Sequence, residues 1–130
     1  MLQADSVLLV KRRGAPYAGL WTFPGGKTEP NEGPREAVLR ELKEETGIDA
    51  DIEGILDTIS VVAEEAGGEE LRYRLTVFYG RYRSGTVRAG DDADAARWFT
   101  LDETKTLPLS EGTAALAWLA AHRLRPVLNG

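Results

Sequence analysis

Six glutamates crowd the segment 26–48, a density of carboxylates that suits a hard divalent cation. Of the 21 acidic residues in the chain, this segment holds Glu29, Glu32, Glu36, Glu41, Glu44 and Glu45. On a helix, Glu45 falls about 40° and Glu44 about 60° from Glu41, so three carboxylates share one arc. Like charges at this spacing repel, and Mg²⁺, which prefers carboxylate and water oxygens, would relieve the repulsion. The alternative is an acidic helix face that lies in solvent and binds nothing, and the pattern alone leaves both interpretations open.

The segment that carries these glutamates has the start and stop signals of a helix over residues 34–46. Pro34 suits the first turn, where its missing N–H is not needed, and Gly47 is the expected stop residue. Arg40 lies four residues from both Glu36 and Glu44, a spacing that supports the helix and neutralises part of the acidic cluster.

The rest of the chain alternates strand signals with one further helix. Apolar and period-two patterns predict strands or strand regions at 6–10, 20–23, 50–63, 71–82 and 97–99, with a short extended piece at 86–88. The regions 50–63 and 71–82 are expected to form a hairpin. A terminal helix is predicted over 111–124, with Ser110 as its N-cap and an apolar stripe of Leu116, Leu119, Ala120 and Leu124. This order predicts a layered α/β domain.

Composition narrows the class of protein. The 130 residues suit one domain over 1–130, and 42% hydrophobic residues can fill one core. The net charge of −5 argues against a binder of nucleic-acid polymers or membrane surfaces. No cysteine is present and His122 is the single histidine, which excludes thiolate and poly-histidine metal sites. With no signal peptide or membrane span at the start, a cytoplasmic protein is expected.

A longer motif runs through the glutamate segment. Gly26 is followed after five residues by Glu32, and after seven more by the run Arg40-Glu41-Leu42-Lys43-Glu44-Glu45-Thr46-Gly47-Ile48. This pattern resembles the Nudix box, and the lead-in 19–26 and the segment 97–103 also resemble the Nudix hydrolase family. The resemblance implies the Nudix fold, in which a mixed β-sheet is sandwiched between helices (α/β/α).

The resemblance also implies an activity and a metal site. Nudix hydrolases cleave a nucleoside diphosphate linked to another moiety, by attack of water on a pyrophosphate phosphorus. Carried over to this chain, the metal ligands would be Glu41, Glu44, Glu45 and the carbonyl of Gly25, with Mg²⁺ as the ion and Mn²⁺ as a substitute. Glu32 would support the metal shell, and Arg40 would pair with a glutamate of the box.

The general base is left open by the motif. In some relatives it is a box glutamate, here Glu41, and in others an acid on a later loop. Asp92, in the loop 90–94, is the first candidate on such a loop, and Glu64 or Glu65 is the second. The alternative for the aspartate loop is a solvated turn without a function.

The substrate is predicted from weaker features. The stretches 88–99 and 107–110 resemble bacterial ADP-ribose pyrophosphatase-like members, which suggests ADP-ribose. Two alternatives stay open. One is a MutT-like (d)NTP pyrophosphatase that clears oxidised nucleotides, and the other is a non-catalytic nucleotide-binding module, which the complete set of box glutamates argues against.

Candidate substrate-binding residues surround the motif. Arg12 could contact phosphates, Tyr17 could stack on a base, and Gly25 and Gly26 form the turn before the glutamates. Trp21 is a further stacking candidate, although core packing is the favoured interpretation for it.

The start of the chain departs from the family pattern. Members usually have a full strand before the one at 6–10, and only Met1–Asp5 precede it here. That first strand is therefore short, missing, or replaced by a partner chain, and a homodimer is one expected outcome.

Overall fold

The computed structural model describes residues 1–3, 6–13, 18–24, 29–64, 67–90, 93–110 and 112–124. The elements in chain order are β1 (Leu2–Gln3), β2 (Ser6–Arg12), β3 (Trp21–Thr22), α1 (Pro34–Thr46), β4 (Asp49–Glu64), β5 (Glu70–Ser84), β6 (Ala93–Thr100), a 3₁₀ turn (Glu103–Lys105) and α2 (Thr113–Leu124).

Strand β2 organises the sheet. One of its edges pairs antiparallel with β6 along its whole length, from Ser6 opposite Thr100 to Arg12 opposite Ala93. The other edge pairs antiparallel with β1 and then with β3. β1 in turn pairs parallel with β5, and β5 pairs antiparallel with β4. The sheet is therefore mixed, as the resemblance implied.

The side chains of β2 are buried on both faces of the sheet. Leu9 packs in one hydrophobic cluster with residues of α2, and Leu8 packs in a second cluster with Leu42 of α1. Because successive side chains of a strand point to opposite faces, the two helices cover opposite sides of the sheet. The expected α/β/α sandwich is confirmed.

Helix α1 begins and ends where the sequence predicts. The N–H of Gly33 donates to the Glu36 carboxylate at 3.2 Å, which satisfies a backbone group ahead of the first turn. Gly47 ends the helix at φ 76°, a conformation that glycine adopts without steric cost. On its inner face the helix buries Ala37, Leu42 and Thr46.

Strands β4 and β5 form the predicted hairpin, and both are longer than expected at 16 and 15 residues. Their ladder runs from Asp49 opposite Ser84 to Glu64 opposite Glu70, and three register shifts interrupt it. Such irregularities bend a strand and increase its twist.

Several local expectations differ from the structure. Residues 86–88 lie in no strand, β6 is longer than its predicted core at 97–99, and α2 begins at Thr113, two residues late. Leu119 is exposed, and Ala117 lies in the buried face instead. The first strand exists but is only two residues long. Within the described residues, no helix is long and apolar enough to cross a membrane.

Candidate active site

The side chain of Arg40 lies at the centre of the glutamate cluster on α1. Its Nε and Nη2 donate to the two oxygens of Glu32 at 2.8 and 3.0 Å. Its Nη1 donates to Glu41 at 2.8 Å and to Glu44 at 3.1 Å, and it lies 3.6 Å from a Glu29 oxygen. The planar guanidinium provides this fork of donors, which an ammonium group lacks. One cation therefore gathers four carboxylates.

Glu32 connects the loop before α1 to the helix. Besides the two bonds from Arg40, it accepts a hydrogen bond from the backbone N–H of Glu29 at 3.0 Å. The hydrogen bond from Arg40, followed by that from Glu29, lowers the pKa of Glu32, and the same contacts with Glu32 and Glu41 raise the pKa of Arg40. Both groups stay charged near neutral pH, so this ion pair holds the loop before α1 against the helix.

The three expected metal ligands of the helix lie on its second half. Glu41 and Glu45 are half-buried and Glu44 is exposed. Within the described ranges, no three acidic, histidine or cysteine side chains are gathered closely enough to hold a metal ion. Glu41 and Glu44 point to Arg40 instead. The donor set consists of carboxylate oxygens, the ligands that hard divalent cations prefer, and so its chemistry fits such an ion.

The last turn of α1 is held by the segment that follows β5. The backbone N–H of Arg88 donates to the Thr46 carbonyl at 2.9 Å, and that of Gly90 donates to the Glu45 carbonyl at 2.8 Å. These carbonyls belong to the end of the helix, where no intrahelical donor is available. The sequence offered no signal for this contact, because it joins segments that are more than 40 residues apart.

Trp21 lies in the core. The residue is 8% exposed, and its ring meets the ring of Phe99 edge-on, with the centroids 4.8 Å apart. The cluster around it is the one that contains α2, on the opposite side of the sheet from α1. The geometry supports core packing for Trp21, and its role in substrate binding stays a prediction.

Arg12 is half-buried at the end of β2, where its backbone carbonyl accepts from Gly19 and its N–H donates to Leu20. Its contact with a phosphate stays a prediction. Five further predicted site residues lie outside the described residues: Tyr17, Gly25, Gly26, Glu65 and Asp92.

Two contacts that the sequence did not suggest border the site elements. Arg13, beyond the end of β2, forms an ion pair with Asp94 at the start of β6 at 3.0 Å. The antiparallel pairing of β2 and β6 brings these two residues together. The hydroxyl of Ser110 donates to Thr22 at 2.9 Å and also contacts the hydroxyl of Thr113, which joins β3 to the start of α2.

Comparison with known proteins identifies the family. A family model described as the NUDIX domain matches residues 1–120. An ADP-ribose pyrophosphatase of Methanocaldococcus jannaschii is 35% identical over 79% of this chain and 59% of its own length. A CTP pyrophosphohydrolase of Escherichia coli is 32% identical over 97% of this chain and 92% of its own length.

Solved structures give the same result. The crystal structure of a MutT NUDIX hydrolase from Burkholderia pseudomallei has a TM-score of 0.76 and 32% identity, over 92% of this chain and 91% of that one. The NUDIX domain of Shewanella oneidensis NrtR, solved with ADP ribose, has a TM-score of 0.75 and 27% identity, over 92% of this chain and 78% of that one.

The chain therefore belongs to the Nudix family. The two curated relatives are named for their activities, one as a pyrophosphatase and the other as a pyrophosphohydrolase. Enzymes of this family generally need a divalent metal ion and act on small nucleotide substrates.

Proposed function

We propose that residues 1–130 form a single Nudix domain that uses Mg²⁺ to hydrolyse ADP-ribose to AMP and ribose 5-phosphate. The observation that carries the metal-dependent chemistry is the cluster around Arg40, which consists of Glu41 and Glu44 on α1 and Glu32 in the loop before it. A carboxylate cluster with a single counter-ion keeps a net negative charge, which attracts a divalent cation.

In this proposal the glutamates of α1 bind the metal and Arg40 positions them. Glu41, Glu44 and Glu45 would hold the ion together with the Gly25 carbonyl. The bound ion would neutralise charge on the diphosphate and lower the pKa of the attacking water. Glu32 fixes the guanidinium of Arg40 through two bonds, so the guanidinium can orient Glu41 and Glu44 without leaving the site.

The proton of the attacking water needs an acceptor within hydrogen-bond reach. Glu41 and Asp92 are the two candidates. A pH profile of kcat in Asp92→Asn would separate them: the acidic limb of the profile disappears if Asp92 is the general base, and it remains if Glu41 is. We propose that the other predicted contacts belong to the same site, with Arg12 contacting a phosphate and Tyr17 stacking on the nucleobase of the substrate.

Nucleoside triphosphates are the second candidate substrates. ADP-ribose is supported by the ADP-ribose pyrophosphatase relative and by the NUDIX domain solved with ADP ribose. The triphosphate alternative is supported by the CTP pyrophosphohydrolase and the MutT structure, both of which match over nearly the whole chain. In that reaction, water would cleave the triphosphate to a monophosphate and pyrophosphate.

A hydrolysis panel with Mg²⁺ tests the proposal. It contains ADP-ribose, other nucleotide sugars, dinucleoside polyphosphates, CTP, and normal and oxidised dNTPs. Alkaline phosphatase reveals monophosphate products, and inorganic pyrophosphatase reveals released pyrophosphate. EDTA should stop turnover, and Mn²⁺ should restore part of it.

Two variants on α1 show whether the helix does the chemistry. Glu41→Gln and Glu45→Gln should abolish hydrolysis while the protein stays folded. Glu36→Gln is the matched control, since Glu36 lies on the same helix and contacts only the Gly33 N–H in the bonds described. Equal loss in all three would point to damage to the helix and not to loss of a ligand.

The outcomes separate the candidates. Turnover of ADP-ribose to AMP supports the proposal, and turnover confined to triphosphates with pyrophosphate release replaces it with the second candidate. Silence over the whole panel, combined with nucleotide binding measured by calorimetry, would favour the non-catalytic module. We further propose a cytoplasmic enzyme that does not act on nucleic-acid polymers, and light scattering would show whether it is a homodimer.

A further inference from the structure

The C-terminal end of α1 lies so close to the segment 85–90 that there is no room for a side chain at Gly90. A Cβ atom added to Gly90 would lie well inside 3.0 Å of the Glu44 carbonyl oxygen and 3.0 Å from the Glu45 Cα, a range that real Cβ atoms essentially never enter. Because the φ of Gly90 is not in the left-handed region, glycine is required there for space and not for conformation.

Gly85 makes a second close contact with the same helix end. A Cβ added to it would overlap the carbonyl oxygen of Gly47, and its φ of 106° independently favours glycine. Gly47 is closely packed in return, since its own Cβ would lie 3.0 Å from the Thr86 carbonyl oxygen. Two glycines of one segment thus contact both the last turn of α1 and its stop residue.

Two backbone hydrogen bonds fix the position of the segment 85–90 along the axis of α1. Gly90 donates to the Glu45 carbonyl and Arg88 to the Thr46 carbonyl. A backbone that bonds to two successive carbonyls, with no side chain between, leaves the last turn little freedom to rotate or shift along its axis. Glu44 and Glu45 are part of that turn.

We infer that Gly90 is a positioning residue for metal binding, because its missing side chain lets the segment 85–90 hold the Glu44–Glu45 turn in place. The inference rests on the proposed metal-dependent function, and it adds a residue outside the Nudix box to the machinery of the site. A Cβ at position 90 would displace the turn by on the order of 1 Å, and shifts of that size at a catalytic group cost on the order of 100-fold in rate.

The structure supplies a matched control for this substitution. A Cβ added to Gly80 in β5 would overlap the Asp51 carbonyl oxygen by the same margin. Its other near neighbour is the Met1 Sδ, at 3.0 Å, and neither Asp51 nor Met1 belongs to α1. Gly90→Ala and Gly80→Ala therefore impose the same steric overlap on a backbone oxygen at two different places.

The experiment compares the affinity of the two variants and the unaltered protein for Mg²⁺ and Mn²⁺ by calorimetry, without substrate. We expect both variants to melt at a lower temperature. Gly90→Ala alone should weaken metal binding, by about tenfold or more as is typical when groups that orient metal ligands are altered. On whichever substrate the enzyme turns over, Gly90→Ala should also lower kcat more than it raises KM.

A second variant covers the case in which Gly90→Ala does not fold. One glycine inserted between Ala89 and Gly90 adds no side chain but lengthens the segment 85–90, so it should also weaken metal binding. The same insertion between Gly67 and Gly68, at the end of the hairpin, is its control. Equal metal affinity of each variant and its control would overturn the inference.

Failure of the inference and failure of the proposed function give different results. If the unaltered enzyme hydrolyses substrate and Gly90→Ala behaves as Gly80→Ala does, the function stands and the inference is wrong. If no substrate is cleaved but the metal affinities separate as expected, the inference stands and the proposed reaction is wrong.

Discussion

Replacing Trp21 separates core packing from substrate stacking. The backbone of Trp21 donates to Pro108 at 2.9 Å and accepts from Ser110 at 3.0 Å, and both bonds survive a change of side chain. The loss in Trp21→Ala is therefore that of a buried ring, which costs about 3–5 kcal/mol. Of this, about 0.5–1.5 kcal/mol comes from the edge-on contact with Phe99.

This loss is large compared with the total stability of a domain of this size, which is about 5–15 kcal/mol. With roughly 3–5 °C per kcal/mol at this length, the melting temperature should fall by about 9–25 °C. Urea unfolding and a thermal scan measure both quantities. Trp118→Ala is the matched control, because Trp118 is 37% exposed and should lose far less.

Kinetics of Trp21→Leu complete the test. Leucine keeps an apolar side chain in the core but cannot stack on a base. Stacking of a base on an aromatic ring is worth about 1–3 kcal/mol, so a stacking role would raise KM by roughly 5- to 150-fold. We expect KM within about twofold of the unaltered enzyme. A large rise in KM with little loss of stability in Trp21→Ala would refute the assignment of Trp21 to the core.

Three further predictions concern α1. Arg40→Lys should lower kcat by about 10- to 100-fold, since an ammonium group cannot hold Glu32 through two parallel bonds; steady-state kinetics and metal calorimetry would show it, and unchanged values would contradict a positioning role. Arg40 lowers the pKa of Glu32 below its ordinary 4.5. The ion pair therefore contributes fully to the free energy of unfolding above pH 4.5, and its contribution is lost as the pH falls through the folded pKa. Urea unfolding between about pH 6 and pH 3 should show this fall in the free energy of unfolding, with a shallower slope in Arg40→Gln. Leu42→Ala, at a residue only 1% exposed, should cost about 2–5 kcal/mol in the free energy of unfolding, and a loss below about 1 kcal/mol would mean that the helix packs more loosely than described.

The elements that the sequence predicts well are those whose signals are local. Both ends of α1 follow from Pro34 and Gly47. The hairpin follows from the apolar strand region at 50–63, the glycine-containing turn after it and the period-two pattern at 71–82. Helix α2 begins at Thr113, two residues later than predicted, and the hydroxyl of Ser110, the expected cap, contacts the hydroxyls of Thr22 and Thr113.

The parts of the site that could not be predicted depend on the path of the chain. The four-residue spacing correctly pairs Arg40 with Glu44, but its bidentate bond to Glu32 requires the loop before the helix to fold back. The packing of Gly90 against Glu44 joins distant segments and leaves no periodic trace. A single sequence therefore predicts candidate ligands for this site, but it does not predict the contacts that hold them in position.

The pairing of β2 with β6 bears on the order in which the enzyme assembles. The hairpin of β4 and β5 joins neighbouring parts of the chain, whereas Arg13 and Asp94 are 81 positions apart. Contacts between distant positions require a large loop to close, and they slow folding. We expect the hairpin and α1 to form early and the β2–β6 ladder to close late. A nascent chain would then carry Glu41, Glu44 and Glu45 on a formed helix and still lack a supported site until β6 has emerged from the ribosome.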